Sequence, residues 1–107
     1  MQVDLDAVKY LSKIATQCRA EFPRFMQCVT SYYVNVKSAS ADDDYKAVCG
    51  TDSCPQLFTG NDPTRDLQTV VVNEFDWPIA ARLVRLNPQS WNHHISMRWE
   101  IYGCDFN

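Results

Sequence analysis

Five cysteines, Cys18, Cys28, Cys49, Cys54 and Cys104, carry the most evident chemistry in this sequence. In a chain of 107 residues that density points to an oxidising compartment and a disulfide framework. Structural zinc would need paired Cys-x-x-Cys or Cys/His spacings, but the gaps are ten and five residues and the two histidines, His93 and His94, are adjacent. No metal site follows from this pattern. An odd number of thiols leaves one unpaired, and fifteen two-bridge patterns remain open on the cysteine positions alone. The acidic run at 42–44 reads most simply as a solvated turn, although three carboxylates joined by backbone carbonyls could hold calcium. No nucleophile or orienting carboxylate stands beside His93 and His94 in the sequence, so neither a Ser/His/Asp nor a Cys/His arrangement is legible. The chain reads as non-enzymatic and without a cofactor.

The segment from Cys18 to Cys28 (CRAEFPRFMQC) sets Phe22, Phe25 and Met26 beside Arg19 and Arg24, around Pro23. As a connection between strands it has few places to hide these side chains, so some are expected to face solvent. Aromatic and methionine tips framed by arginines suit insertion into a lipid headgroup layer or packing on the apolar face of a sugar ring. The competing reading folds Phe22 or Phe25 back onto the core. Trp91 carries the same ambiguity between core and partial exposure.

The elements that would position these residues have a period of two. In residues 29–37 (VTSYYVNVK) Tyr32, Val34 and Val36 share one face, with Ser31, Tyr33 and Asn35 on the other. Residues 69–75 (TVVVNEF) are β-branched, residues 81–86 alternate arginine with aliphatics, and residues 95–102 (ISMRWEIY) alternate most clearly, Ile95, Met97, Trp99 and Ile101 facing inward. Arg82, Arg85, Arg98 and Glu100 then fit cross-strand ion pairs. Turn signals fall at 41–44, 49–55, 60–63, 76–78 and 87–88, and Trp77 is expected to pack over the end of the domain. Short strands with such punctuation suggest an antiparallel sandwich or barrel. The first twenty residues are ambiguous: Val3, Ala7, Leu11, Ile14 and Cys18 recur at helical spacing, whereas the competing reading is two strands, 2–5 and 8–16, joined at Asp6 and Ala7.

A chain of this length forms one domain and buries roughly two-thirds of its unfolded surface. A formal net charge of -3 and a pI near 5.1 argue against nucleic acid as a partner. No apolar run approaches the roughly 20 residues of a spanning helix, and the start, MQVDLDAVKY, has neither a basic nor an apolar leader pattern.

Read end to end, the strand segments resemble the discoidin, or coagulation-factor F5/8 type C, domain. The C-terminal part carries most of the likeness: Pro78-Ile79, the run ARLVRLNP from Ala81 to Pro88, Ser90-Trp91, and ISMRWEIYGC from Ile95 to Cys104. Gln2-Val3-Asp4-Leu5, Ile14-Ala15-Thr16-Gln17, residues 29–36 and Phe58-Thr59-Gly60-Asn61 follow family segments in order. The resemblance spans essentially the whole chain, 1–107. It implies an all-β, antiparallel jelly-roll β-sandwich similar to galactose-binding domains, and it favours strands over a helix at the start. Family modules begin with a further segment carrying an N-terminal cysteine and the first of three binding loops, which has no counterpart here. Cys104 resembles the cysteine that pairs with it, so Cys104 is the expected unpaired thiol. A sandwich without its opening segment would expose a sheet edge through which the chain could self-associate.

With Cys104 set aside, Cys18 and Cys28 flank one strand connection and Cys49 and Cys54 close a tight turn, which suggests these two pairings. Tracing alternating strands puts the connections at 18–28, 60–66 and 87–94 at one end, and those at 41–44 and 76–78 with the C-terminus at the other. Family members use loops at one end to bind phospholipid, glycan or protein. By that resemblance the second binding loop is 19–27, the third contains Asn61, Asp62, Thr64 and Arg65, and Trp91 with His93 lies alongside. The implied function is an extracellular recognition or adhesion module, secreted or part of a cell-surface ectodomain. Phe25 and Met26 would insert in a membrane while Arg19 and Arg24 meet anionic headgroups. The alternatives are a galactose-type lectin stacking a sugar on Trp91, and a structural fragment that associates with its own kind.

Overall fold

The computed structural model describes residues 1–21, 25–38, 44–62, 69–92 and 97–105, and every regular element among them is a β-strand. These are β1 (Gln2–Glu21), β2 (Phe25–Lys37), β3 (Lys46–Ala47), β4 (Phe58–Thr59), β5 (Val70–Asn92) and β6 (Met97–Asp105). All pairings are antiparallel, along the path β3-β2-β5-β1-β6 with β4 also on β2. Residues 70–81 of β5 pair with β1, whose other side is taken by β6. Residues 83–92 of β5 pair with β2, and at 83–85 the start of β1 and the end of β2 flank the same stretch. β5 thus serves both layers of an antiparallel jelly-roll β-sandwich.

The helical spacing in the first twenty residues does not produce a helix. Ile14, Ala15, Thr16 and Cys18 are all buried while Ala7 is exposed, because the middle of β1 lies between two paired neighbours rather than presenting one stripe to a core. The expected joint at Asp6 and Ala7 is a bulge within one strand. Pairing passes from Asp4 with Leu83 to Lys9 with Ala81, so residues 5–8 oppose Arg82 alone. Asp6 takes φ 68° there, and its N–H donates to Asp4 Oδ1 at 2.8 Å.

Two expected turns are likewise absorbed into β5. Residues 75–78 oppose Ser12 alone, so the Asp76-Trp77-Pro78 signal marks a bulge and not a strand boundary. Its outer corner is pinned from the neighbouring turn: Thr51 N–H and Thr51 Oγ1 donate to Asp76 Oδ2 at 2.7 and 3.0 Å, and the Cys49–Cys54 disulfide closes that turn. Trp77 is thrown outward and stays about half exposed, so it does not pack over the end of the sandwich. Asn87 and Pro88 also remain in β5, with Gln89 left over between the pairs Tyr32–Pro88 and Ser31–Ser90. Proline without an N–H is tolerated at such an irregularity.

The core follows the predicted alternation, with Tyr32 and Val34 from β2, Val84 and Leu86 from β5, and Met97 from β6 buried against Leu11 and Ile14. Phe58 links the layers, stacked on Tyr32 at 5.5 Å and edge-on to Phe75 at 5.8 Å. Such aromatic pairs contribute about 0.5–1.5 kcal/mol beyond their buried area. Burial pushes the Tyr32 hydroxyl up, and it keeps a partner in Asn73, whose Nδ2 donates to it at 3.0 Å.

Of the expected cross-strand ion pairs, Arg82 joins Asp4 across β5 and β1 at 2.9 Å. The guanidinium hydrogen bond, helped by the Asp6 N–H, holds the Asp4 carboxyl below its ordinary value. The unfolded chain therefore binds the proton more readily, and this contribution to stability is present above the ordinary aspartate pKa and lost as pH falls through the lowered one. D4N is expected to flatten the acid limb of the stability curve below about pH 4, measured by urea unfolding across pH, and to leave the slope near neutrality unchanged.

Candidate functional site

The sandwich positions one end by register alone. β1 leaves the core at Cys18 and β2 returns at Cys28, both buried and bridged to each other with Cα atoms 4.5 Å apart. Beyond the bridge the ladder continues, Arg19 opposite Gln27, Ala20 opposite Met26 and Glu21 opposite Phe25. The expected loop at 19–27 is therefore a hairpin whose strands run almost to its tip. Backbone pairing needs no particular side chain, which is why a sequence rich in aromatics and arginine did not advertise it. Arg19 is exposed; the side chains of Phe25 and Met26, and Phe22 and Arg24 altogether, lie outside the described residues.

The second connection is clamped onto β2. Gly60 N–H donates to the Thr30 carbonyl at 2.8 Å and Asn61 N–H to the Val29 carbonyl at 2.9 Å. Asn61 Nδ2 donates to the Thr69 carbonyl at 3.0 Å, tying together the two ends of the segment between them. Asn61 is only 3% exposed, which corrects its expected place among the ligand contacts. Its Nδ2 is engaged at the base of the loop, which makes it a positioning residue, while its Oδ1 is buried without a hydrogen-bond partner among the described residues. Asp62 follows it at the surface, and Thr64 and Arg65 lie outside the described residues. The clamping role of Gly60 was missed in sequence, where it read as a turn signal and as part of a segment resembling the family. A Cβ there would sit 2.1 Å from the Val29 carbonyl oxygen.

The third connection leaves β5 at the same end. Trp91 is paired with Val29 and Asn92 with Cys28, and β6 starts with Met97 opposite Cys18. Trp91 is 45% exposed, resolving its ambiguity in favour of a surface ring. His93 lies outside the described residues. Close by, the hydroxyls of Thr30 and Ser31 both bond the Ser90 hydroxyl, a cluster that alternation did not single out. An exposed indole, an exposed Arg19 and an exposed Asp62 at one end of the sandwich offer stacking, hydrogen bonding and charge, which is the chemistry of recognition.

Other candidates lie elsewhere. Cys49 and Cys54 are bridged at the turn that pins Asp76, and Cys104 is free and exposed on β6, opposite Tyr10. Among the described residues no group of three His, Cys, Asp or Glu side chains is placed to hold a metal; Asp44 is the one member of the acidic run that the description includes. No helix among them is long and apolar enough to cross a membrane.

Comparison with known proteins agrees with this architecture. The chain is 37% identical over 107 residues to Neurexin-4 of Drosophila melanogaster, covering 99% of this chain and 8% of that protein. It is 33% identical over 105 residues to human Neuropilin-1 and 32% identical over 107 residues to human Coagulation factor VIII, covering 97% and 98% of this chain but 11% and 4% of those proteins. The chain thus spans about a tenth or less of the length of these relatives. The structure of wild-type discoidin II from Dictyostelium discoideum superposes with a TM-score of 0.77 at 28% identity, over 99% of this chain and 37% of that one. The model of the F5/8 type C domain matches residues 1–101, and the chain belongs to that family.

Proposed function

We propose that this chain is a non-enzymatic extracellular recognition module that attaches a larger protein to a cell surface or matrix through the end bearing Cys18–Cys28, Asn61 and Trp91. The observation that carries this reading is the convergence there of three connections, one stapled by a disulfide, one clamped by Gly60 and Asn61, and one presenting Trp91. Rigid support beneath an apolar and cationic rim lowers the ordering cost of binding. Membrane phospholipid is the ligand favoured by the composition of the hairpin tip, where Phe22, Phe25 and Met26 would enter the headgroup layer beside Arg19 and Arg24. Disulfide pairing of four of the five cysteines supports an oxidising, extracellular setting.

Flotation of the chain with liposomes, with and without phosphatidylserine at physiological salt, tests this. Binding that requires the anionic lipid is expected, with F25S/M26S reducing it at least about tenfold, since two apolar insertions contribute at least 1.4 kcal/mol. A folded chain that does not float with either vesicle overturns the membrane reading. The second reading, a galactose-type lectin site, is favoured by the exposed ring of Trp91, a surface on which a sugar could stack. In that case sugar binding survives F25S/M26S and is lost in W91A.

A further inference from the structure

β6 ends the sheet path, so among the described residues its outer edge pairs with no strand. Among the described residues a cleft also runs beside this edge. Val3 and Leu5 on one layer and Trp99 and Ile101 on the other are only partly buried against the core, and Gln2, Val3, Trp99, Glu100 and Ile101 line that cleft. An unpaired row of backbone groups beside half-covered apolar side chains is a template for another strand. We propose that this edge pairs with β6 of a second copy of the chain, antiparallel and centred on Trp99.

Charge fixes the partner and the register. In a continued sheet, only registers that keep Met97, Trp99 and Ile101 on the core side are allowed, because a one-residue slip sends them to solvent. Arg98 and Glu100 lie on the opposite, exposed face. Centring the pair on Trp99 sets Arg98 across from the partner's Glu100, and Glu100 across from the partner's Arg98. Centring on Arg98 or on Glu100 would put that residue opposite its own copy, like charge on like charge. Centring on Ile101 would set Glu100 across from the partner's Tyr102 and leave both charges without a counterpart. The Trp99 register also lays Trp99 against the partner's Trp99, and Met97 against the partner's Ile101, beside the cleft. Opposite charges and aromatic pairs directly across strands are the favourable combinations, and like charges the unfavourable ones. On β6 itself Glu100 is oriented by the Tyr102 hydroxyl, which donates to its Oε2 at 2.8 Å.

This inference is independent of the loop-end reading, since the edge lies along the side of the sandwich. Its test is sedimentation equilibrium of the whole chain carrying C104S, so that no dimer arises from the exposed thiol. A dimer is expected. R98E and E100R, both at exposed positions, should each weaken it about tenfold or more, because the twofold axis turns both opposite-charge contacts into like-charge ones. Mixing the two variants in equal amounts restores opposite charges in both contacts and should restore the dimer. A chain that stays monomeric up to about 0.1 mM, a dimer indifferent to R98E, or a mixture that remains monomeric overturns the proposal. Thermal unfolding of both variants separates a lost interface from a lost fold.

Discussion

G60A is expected to destabilise the chain by about 3–6 kcal/mol and to weaken ligand binding beyond what that loss of folded protein explains. The Cβ it adds would lie 2.1 Å from the Val29 carbonyl oxygen and 3.1 Å from its carbon, and backbone cannot move aside as a side chain can. To make room, the segment must retreat from β2 and give up the bonds from Gly60 N–H to Thr30 and from Asn61 N–H to Val29. Each bond is a net loss of about 1–1.5 kcal/mol, and the forced shift adds about 1–3 kcal/mol. Urea unfolding measures the first effect. The second needs a control of equal severity elsewhere, and G103A supplies it, since its Cβ would meet the Tyr10 carbonyl at the same 2.1 Å on the far side of β1 from the loops. Both variants should lose stability, but only G60A should bind vesicles more weakly per folded molecule. Equal binding by the two would show that the clamp at Gly60 does not position the site.

That prediction rests on a residue the sequence marked as a turn and not as a clamp, and the reason is general to this fold. Alternation in residues 29–37 and 97–102 showed which side chains face inward, because burial on one face leaves a direct trace in residue type. Close approach of one backbone to another leaves no trace except a glycine, and glycine has many reasons to be present. The same limit explains the turns misplaced at 76–78 and 87–88. Asp-Trp-Pro and Asn-Pro break a ladder locally, but whether the chain then reverses or continues depends on what waits beyond the break. Here Leu11 on β1 and Ser31 on β2 resume the pairing, so β5 bulges twice and runs on.

The candidate site was legible as a place more than as a set of contacts. Tracing alternating strands puts the connections at 18–28, 60–66 and 87–94 at one end, and the register brings the described residues of all three together there. Which polar groups face outward was not legible. Asn61 and Asp62 are neighbours of similar chemistry, yet the first is buried at the loop base, where its N–H meets the Val29 carbonyl and its Nδ2 the Thr69 carbonyl, and the second is at the surface. The Thr30, Ser31 and Ser90 hydroxyls come together only because of two irregularities in the β2–β5 register, which no local pattern encodes.

The Cys18–Cys28 bridge joins the stability of the sandwich to the order of the hairpin, and the double variant C18A/C28A separates it from its counterpart. A bridge closing a ten-residue separation contributes about 3 kcal/mol by limiting the unfolded chain, against about 2 kcal/mol for the five-residue separation of Cys49–Cys54. Alanine is the right replacement because Cys28 is fully buried and a serine hydroxyl would add its own desolvation cost. The melting temperature of C18A/C28A is expected to fall by about 10–20 °C. The two bridges should differ more sharply in function than in stability. Cys18 and Cys28 hold the root of a hairpin whose remaining support is the three pairs from Arg19 to Glu21, so without the bridge the tip must be ordered at the moment of binding. Anionic-vesicle affinity well below the melting temperature is therefore expected to drop about tenfold, equivalent to about 1.4 kcal/mol of ordering cost. C49A/C54A frees Thr51 and the Asp76 bulge, at a different part of the sandwich, and should leave that affinity unchanged. If both variants bound equally well, the hairpin would be held by its backbone ladder alone and the bridge would serve only the fold.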